Sequence, residues 1–569
     1  MPRSVREKLI MAMGQALEKP AADVQGVTAW GENRPRGPQT TKGSSNNGEE
    51  ITMRRLVLCA VGVLLSLGLV SGGWCGAAKD TLVIGVASDI SLLDPAVSSD
   101  NFDWRQIYPS YDRLVKYKVV NGEGSTEVEP MAAESWSASP DGTVWTVKIR
   151  KGIKFDDGTP LDAKAVKFSF ERVLKIGKGP ADNLGAIKTV DVVDDYTVKI
   201  TLKSPFGPFV QTLATDAGSI INPNVVKHEK GGDLAQAWLA QNTDGSGPFK
   251  ITEWTRGQRL VLEAKPNYWG PKPALKRVII RFMRESADQR MALESGDIHI
   301  AESILLDQIP ALEKNPNIVV RKYPSQLVEY VYLNTQKPNL NNKLVRQALS
   351  YAVDYKGIIE HVLQGRGVQM RGPIAKGMWG YDANAFQYQR DVNKAKSLLQ
   401  QAGLSKGLEL TLIFSERRPT WEQIATILQS NFADIGVKLK LELLANPTLR
   451  DKIDRGDFEL CLGIWSPDYA DPSMFMNFWF DSKNFGLPGN RAFYKNDKVD
   501  ELIRKALTLS SQQDRTKLYA DATKIIMDDA PYIFLHQTQT IVPMRNNVKG
   551  YVFNPMLESM YNLEAINLD

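Results

Sequence analysis

A strand, a helix and a second strand follow one another between residues 407 and 445. Residues 408–414 and 437–444 are predicted to be strands, and residues 421–434 are predicted to be the helix between them. Two strands that are joined through a helix run parallel, with a right-handed crossover. This βαβ unit predicts an α/β fold for the chain.

The length of the chain exceeds what one hydrophobic core can organise. At roughly 150 residues per domain, 569 residues indicate about three or four domains. Apolar content of 43% and charged content of 24% are ordinary for a soluble globular protein. A formal net charge of +5 over this length gives no electrostatic footprint for nucleic acid, which argues against a nucleic-acid-binding function.

Residues 53–78 have the three parts of a secretory signal peptide. Arg54 and Arg55 form a basic start, residues 56–70 form an apolar core, and small residues follow as a cleavage site. The apolar core is too short for a comfortable membrane span, so we expect a protein exported to the periplasm. Residues 1–52, rich in Gly, Ser, Asn and Pro, are predicted to be disordered or, if translation starts at Met53, not translated.

The segment 458–472, FELCLGIWSPDYADP, is predicted to be a buried strand that leads directly into a loop. Apolar residues alternate up to Ile464, and Pro467 and Pro472 prevent a strand or helix from continuing. Asp468 therefore follows a strand end, where open α/β sheets bind their ligands. We predict that its carboxylate binds the α-ammonium group of a peptide. The alternative is that Asp468 only closes a turn with its own backbone.

The loop 415–420, between the first strand and the helix of the βαβ unit, is a second candidate position. Thr420 is predicted to cap the helix, whose free backbone N–H groups and dipole favour an anion. An arginine in this loop can bind a carboxylate through two parallel hydrogen bonds. Arg417 and Arg418 are both candidates, and the alternative is that they are solvated loop charges.

Several strings of the sequence resemble, in the same order, the periplasmic solute-binding proteins that serve dipeptide, oligopeptide and nickel importers. They are TVWTVKIRKGIKFDDGTPLDAKAVKFSFERV at 143–173, GSGPFKITEW at 245–254 leading to NYWG, YLNTQKP with VRQALSYAVDYKGI between 332 and 358, and NNVKGYVFNP at 546–555. Together they cover nearly all of the chain that follows the predicted signal peptide. Their combination is specific, whereas any one string is weak.

This resemblance implies an α/β, two-lobed periplasmic-binding-protein fold with interrupted domains and a small extra domain packed on the first lobe. Chain crossings between the lobes are expected near Tyr330 and Phe534. The expected divisions are 79–111, 243–329 and 534–569 for the first lobe, 112–242 for the small extra domain, and 330–533 for the second lobe.

The resemblance also assigns roles to candidate ligand-binding residues. The step from Arg418 to Pro419 resembles the Arg-Pro step that binds the ligand carboxylate in dipeptide-binding members. Asp468 lies in a segment that resembles the family's Trp-x-x-Asp-Tyr motif, in which the Asp pairs with the peptide N-terminus. The other residues expected to line the site are Trp465, Tyr469, Trp379 and Tyr381.

The function predicted in this way is the substrate-binding component of an ABC importer. It would capture short peptides in a closing cleft and deliver them to the permease and ATPase subunits of the inner membrane. We expect a monomer with no catalysis, cofactor or metal. Peptide length and side-chain preference stay open.

Two alternatives remain. One is a nickel-chelate or haem carrier of the same family, although the four His residues are scattered along the chain. The other is a secreted hydrolase, which is disfavoured because neither His-Glu-x-x-His nor Gly-x-Ser-x-Gly occurs. After removal of the signal peptide only Cys461 would remain, which excludes a disulfide framework.

Overall fold

One large mixed sheet organises the protein, as seen in a computed structural model that describes residues 80–569 except 99, 417 and 559–561. The predicted signal peptide and the segment before it lie outside the described residues. Within the described part, no helix combines the length and apolar character needed to cross a membrane.

The large sheet has 11 strands, and its two ends come from different parts of the chain. Gly367–Gln369 pairs with Tyr532–Arg545 and lies off the main path. From one edge to the other, the order on the main path is Val437–Leu444, Leu408–Ser415, Leu460–Trp465, Ile318–Leu333, Tyr532–Arg545, Ile300–Ala301, Thr81–Val86, Arg277–Phe282, Arg259–Ala264 and Phe249–Thr255.

Two long antiparallel strands, Ile318–Leu333 and Tyr532–Arg545, connect the two ends of this sheet. Their pairing is interrupted between Pro324 and Val328. Beyond the interruption, the segment from Val328 onwards pairs with Leu460–Trp465, whereas the opposite end of Tyr532–Arg545 pairs with Ile300–Ala301. The sheet therefore consists of two strand groups that are joined through this pair of strands. The predicted crossing residues Tyr330 and Phe534 lie opposite each other in these two long strands. The exact domain limits stay a prediction.

A separate four-stranded antiparallel sheet forms within residues 112–242. Its strand order is Ala133–Ala138, Val144–Ile149, Thr197–Leu202 and Ile187–Asp194. The two-stranded sheets are Val115–Val120 with Glu123–Pro130, and Val548–Lys549 with Asn567–Leu568.

The helices surround these sheets. The α-helices are Asn101–Ile107, Ala163–Ile176, Phe209–Thr212, Gln236–Leu239, Ser286–Ser295, Ile309–Leu312, Lys343–Ala352, Tyr355–Gly357, Val392–Gln401, Pro419–Ala433, Asn446–Arg455, Asn477–Phe480, Asp497–Thr508 and Gln512–Asp529. The 3-10 helices are Tyr108–Ser110, Gly179–Leu184, Asp216–Gly218, Pro223–His228, Leu306–Gln308, Pro472–Met474 and Leu563–Ala565, and a π-helix spans Ile358–Val362.

The predicted βαβ unit is confirmed. Leu408–Ser415 and Val437–Leu444 pair in parallel, and Pro419–Ala433 is the helix between them. The predicted cap is wrong, because the helix begins one residue before Thr420, at Pro419. Proline suits the first helical position since its missing N–H has no partner there in any helix, and this moves the cap position to Arg418.

Candidate functional site

Two parallel strand ends lie side by side at one edge of the large sheet. Leu408–Ser415 and Leu460–Trp465 are parallel neighbours, with Leu412 opposite Leu460. Because parallel strands end at the same edge, the loop that carries Arg418 and the loop that carries Asp468 both leave the sheet there. The structure thus brings the two predicted charges to one edge.

The strand that leads to Asp468 is fixed by close packing. Its residues from Leu460 to Gly463 are buried, and Gly463 lies opposite Tyr330 in the neighbouring strand. A Cβ atom at Gly463 would overlap the ring of Tyr332, so only glycine lets the strand approach this ring. The strand end therefore has little freedom to shift, which holds the following loop in place.

Trp465 closes this strand and forms part of an aromatic wall. Its ring stacks on Phe478 with centroids 4.6 Å apart and meets Trp479 edge-on at 5.2 Å. The indole Nε1 is buried and has no hydrogen-bond partner among the described residues. A buried N–H without a partner costs free energy, so this donor is available to a ligand or a bound water.

Asp468 is exposed, yet neighbouring protein surrounds it closely enough to change its titration. Partial burial, together with the negative charge of Asp182, raises the pKa of Asp468 to about 6. Its carboxylate accepts no hydrogen bond from any described residue, so the alternative of a turn closed through its own backbone is not what the structure has. An accessible carboxylate in a crowded recess is suited to bind a cation.

The neighbouring Asp471 has a structural role. It is fully buried, it accepts two hydrogen bonds from Arg515 at 2.6 and 2.7 Å, and it caps the following turn through Ser473 N–H. Tyr469 is half-buried between these carboxylates, and its hydroxyl lies 3.5 Å from Ser473 Oγ. The Asp471–Arg515 pair therefore anchors the loop in which Asp468 and Tyr469 lie.

Trp379 and Tyr381 line a cavity of about 710 Å³. Gln211 and Gln512, from distant parts of the chain, lie on the same wall. Trp379 also packs under the guanidinium of Arg515, 4.9 Å from the ring centroid, which connects this wall to the Asp468 loop. The other predicted site residues do not line this cavity: Trp465, Asp468, Tyr469 and Arg418.

Arg418 lies just before the helix Pro419–Ala433. Its side chain is exposed and makes no ion pair with any described residue. Its backbone carbonyl accepts the N–H of Trp421 at 3.0 Å, which starts the helix. The guanidinium is therefore available to a carboxylate. Arg417 lies outside the described residues, so the choice between the two arginines stays a prediction.

Two carboxylates within residues 112–242 interact electrostatically with Asp468, and no sequence pattern identified them. Asp216 is 9% exposed, and burial and the charge of Asp468 raise its pKa to about 7. Asp182 acts electrostatically on Asp468, and Arg113 acts on Asp216. No local sequence pattern marks these residues, because their proximity to Asp468 arises only from the tertiary fold.

The described residues contain no group of three or more His, Cys, Asp or Glu side chains that could hold a metal ion. Cys461 is buried in the strand before Asp468, and burial raises the pKa of its thiol to about 12. The thiol is therefore protonated at neutral pH and serves as an apolar core group.

The chain is similar to known proteins over most of its length. The model of the bacterial extracellular solute-binding proteins, family 5 (middle) matches residues 127–486. A probable D,D-dipeptide-binding periplasmic protein, DdpA of Escherichia coli (strain K12), is 50% identical over 489 residues, which are 86% of this chain and 94% of that protein. Heme-binding protein A of Haemophilus influenzae is 31% identical over 472 residues, which are 78% of this chain and 84% of that protein.

Two solved structures are similar over the same part of the chain. The periplasmic binding protein DppA of Helicobacter pylori, in complex with the peptide STSA, has a TM-score of 0.71 and 32% identity and covers 86% of this chain and 98% of its own. HbpA2 of Haemophilus parasuis has a TM-score of 0.78 and 30% identity and covers 86% of this chain and 100% of its own.

Proposed function

Because the chain belongs to the bacterial extracellular solute-binding proteins of family 5, we propose that it is the substrate-binding component of an ABC importer, with a short peptide as its ligand. The α/β, two-lobed fold expected for this family is the fold of its structural relatives. The protein captures the peptide in the periplasm as a monomer and presents it to the permease and ATPase subunits.

The state of Asp468 is the observation that carries the peptide assignment. Its carboxylate accepts no hydrogen bond from the described residues, and burial together with the charge of Asp182 raises its pKa to about 6. A peptide's α-ammonium provides three N–H donors and a positive charge, which satisfy such a carboxylate and favour its ionised form. The Nε1 of Trp465, three residues before Asp468, is buried without a hydrogen-bond partner among the described residues and offers a donor for a peptide carbonyl.

A dipeptide is the ligand length that these features support best. Arg418 leaves the same sheet edge as Asp468 and has no partner of its own among the described residues, so one short zwitterion can engage both charges. The 50% identical relative carries the name of a D,D-dipeptide-binding protein. Trp379 and Tyr381 line the neighbouring cavity, which has room for the side chains.

A haem carrier is the second candidate, because one relative, 31% identical over 472 residues, bears the name heme-binding protein A. The charge of the candidate site distinguishes peptide binding from haem binding. A recess with uncompensated carboxylates attracts a cationic group, whereas haem presents a large apolar face and its own carboxylates.

Native mass spectrometry of the purified protein, followed by calorimetry, tests the proposal. We expect a co-purified mass of peptide size, and binding of D-Ala-D-Ala or L-Ala-L-Ala, the simplest chiral probes of the two stereochemical classes. Haemin is the competitor. Tight binding of haemin, with neither dipeptide bound, would contradict the proposed function.

A further inference from the structure

One buried guanidinium holds the loop that carries Asp468. Arg515, in the helix Gln512–Asp529, is 2% exposed and donates to both carboxylate oxygens of Asp471, at 2.6 and 2.7 Å. Its Nε donates to the carbonyl of Ala506 at 3.0 Å. Because Asp471 lies three residues after Asp468, the position of the Asp468 loop depends on this guanidinium.

The same guanidinium touches a segment that the predicted domain division assigns to the other side of the cleft. Gly207 lies in the predicted small extra domain, and its N–H donates to the carbonyl of Leu507, in the predicted second lobe, at 2.8 Å. A Cβ atom at Gly207 would lie only 3.1 Å from both Cζ and Nη1 of Arg515. No gap therefore separates the backbone of Gly207 from the guanidinium, and this contact requires the two sides of the cleft to meet.

The wall of the neighbouring cavity supplies a third contact. The guanidinium carbon of Arg515 lies 4.9 Å from the ring centroid of Trp379, which lines this cavity. Gln211, four residues after Gly207, lines the same cavity from the small extra domain. Close-packed groups cannot shift independently, so a displacement at Gly207 reaches both the cavity wall and the Asp468 loop through Arg515.

We propose that Arg515 is a positioning residue that couples closure of the cleft to the placement of the Asp468 carboxylate. In the closed form, Gly207 fixes one side of the guanidinium, and the guanidinium fixes Asp471 and the loop that presents Asp468. This inference rests on the proposed peptide-binding function and deepens it, because it makes recognition of the peptide's α-ammonium depend on closure.

The chemistry of arginine suits this role. Its planar guanidinium bonds both oxygens of a carboxylate in one fixed geometry, whereas a lysine ammonium acts as a point charge. Asp471 is therefore held in orientation as well as in position. A ligand that engages Asp468 in this geometry binds the closed form better than the open form, which is the condition for it to shift the equilibrium.

Arg515→Lys tests the proposal, because it keeps the charge beside Asp471 and loses the fixed geometry. Calorimetry at pH 7 would compare D-Ala-D-Ala and L-Ala-L-Ala with their N-acetylated and C-amidated forms. The ratio of the affinities for free and N-acetylated dipeptide reports the Asp468 end. We expect this ratio to fall roughly tenfold in the variant, about the value of one charge-assisted hydrogen bond. The ratio for free-acid and amidated dipeptide reports the opposite end and should keep its wild-type value.

A control and a second variant accompany this test. Arg504→Lys is the matched control, because Arg504 bonds both oxygens of Asp481, at 2.6 and 2.9 Å, and makes no hydrogen bond to the Asp468 loop among the described residues. Both ratios should be unchanged in it. Gly207→Ala presses on the guanidinium from its other side with all charges intact, and it should lower the ratio for N-acetylation as well. Circular dichroism checks the fold, and Gly207→Ala decides the matter if Arg515→Lys does not fold.

The outcomes separate the inference from the function on which it rests. A wild-type ratio for N-acetylation in the folded variants would overturn the role of Arg515 and leave peptide binding intact. An equal fall of both ratios would overturn it too, because that result indicates a general loosening of the second lobe. Failure of wild type to bind either dipeptide, with no peptide in native mass spectrometry, would overturn the proposed function itself.

Discussion

Gly207 provides a direct way to test whether ligand binding requires closure. It lies in the loop after the small four-stranded sheet, and its N–H donates to the carbonyl of Leu507 at 2.8 Å. Leu507 belongs to the helix Asp497–Thr508, in the predicted second lobe. This hydrogen bond therefore joins two parts of the chain that the predicted domain division assigns to opposite sides of the cleft.

The contact leaves no room for a side chain. A Cβ atom at Gly207 would overlap the carbonyl oxygen of Leu509 and lie 3.1 Å from the guanidinium carbon of Arg515. The backbone of Gly207 is not in the left-handed region, so alanine or valine strains only this contact. Overpacking of this kind typically costs about 1–3 kcal/mol, which corresponds to a roughly five- to 150-fold loss of the closed state.

Calorimetry with a dipeptide should therefore show weaker binding in Gly207→Ala and weaker still in Gly207→Val. The melting temperature without ligand should change little, because opening relieves the overlap. Ser204→Val is the matched control, since Ser204 is exposed in the same loop. Wild-type affinity in Gly207→Val would refute the reasoning, because it would show that this contact is absent from the bound state.

Three further predictions follow from the site. Dipeptide affinity should fall up to about tenfold per pH unit as the pH drops below about 6, because protonation of Asp468 removes the charge that binds the ammonium. Calorimetry from about pH 4.5 to 8 measures this dependence, and an affinity that does not change with pH would contradict it. Arg418→Ala should weaken free-acid dipeptides more than their amides, and equal losses would place Arg418 outside the site. Gly463→Ala should lower the free energy of unfolding by at least about 1 kcal/mol in denaturant titrations, because its Cβ would overlap Tyr332; unchanged stability would refute that packing.

Local sequence patterns were sufficient to predict the strands and the helix that position the candidate site. The alternation before Asp468 predicted the strand Leu460–Trp465, and the βαβ spacing predicted the parallel pair beside it. Both signals are local and periodic, and each comes from burial on one or both faces of a strand. The position of Asp468 at a strand end followed from them without knowledge of the tertiary fold.

The same patterns failed where pairing depends on distant residues. The local sequence favours a strand from Glu329 to Leu333, whereas the strand in the structure begins at Ile318. Pro324 lies inside this strand, opposite Gln539, at the point where the pairing with Tyr532–Arg545 becomes irregular. Tertiary pairing thus extended the strand beyond what its local sequence favours.

The two carboxylates whose charges interact with Asp468 could not be predicted for a related reason. Asp216 and Asp182 lie in short 3-10 helices without periodicity, and Asp is common in such turns. Only the fold brings them near a loop far along the chain. The raised pKa of Asp216 and the effect of the Asp182 charge on Asp468, rather than any motif, distinguish these two carboxylates from the many solvated carboxylates of the surface.

The central claim is that Asp468 binds the peptide α-ammonium, and a double comparison tests it most directly. Calorimetry would measure a dipeptide and its N-acetylated form against wild type and Asp468→Asn, with Asp451→Asn as the exposed control. Acetylation should cost wild type about 2–5 kcal/mol and the Asp468→Asn variant much less. Equal losses on acetylation in both proteins would contradict the assignment of Asp468 as the ammonium ligand.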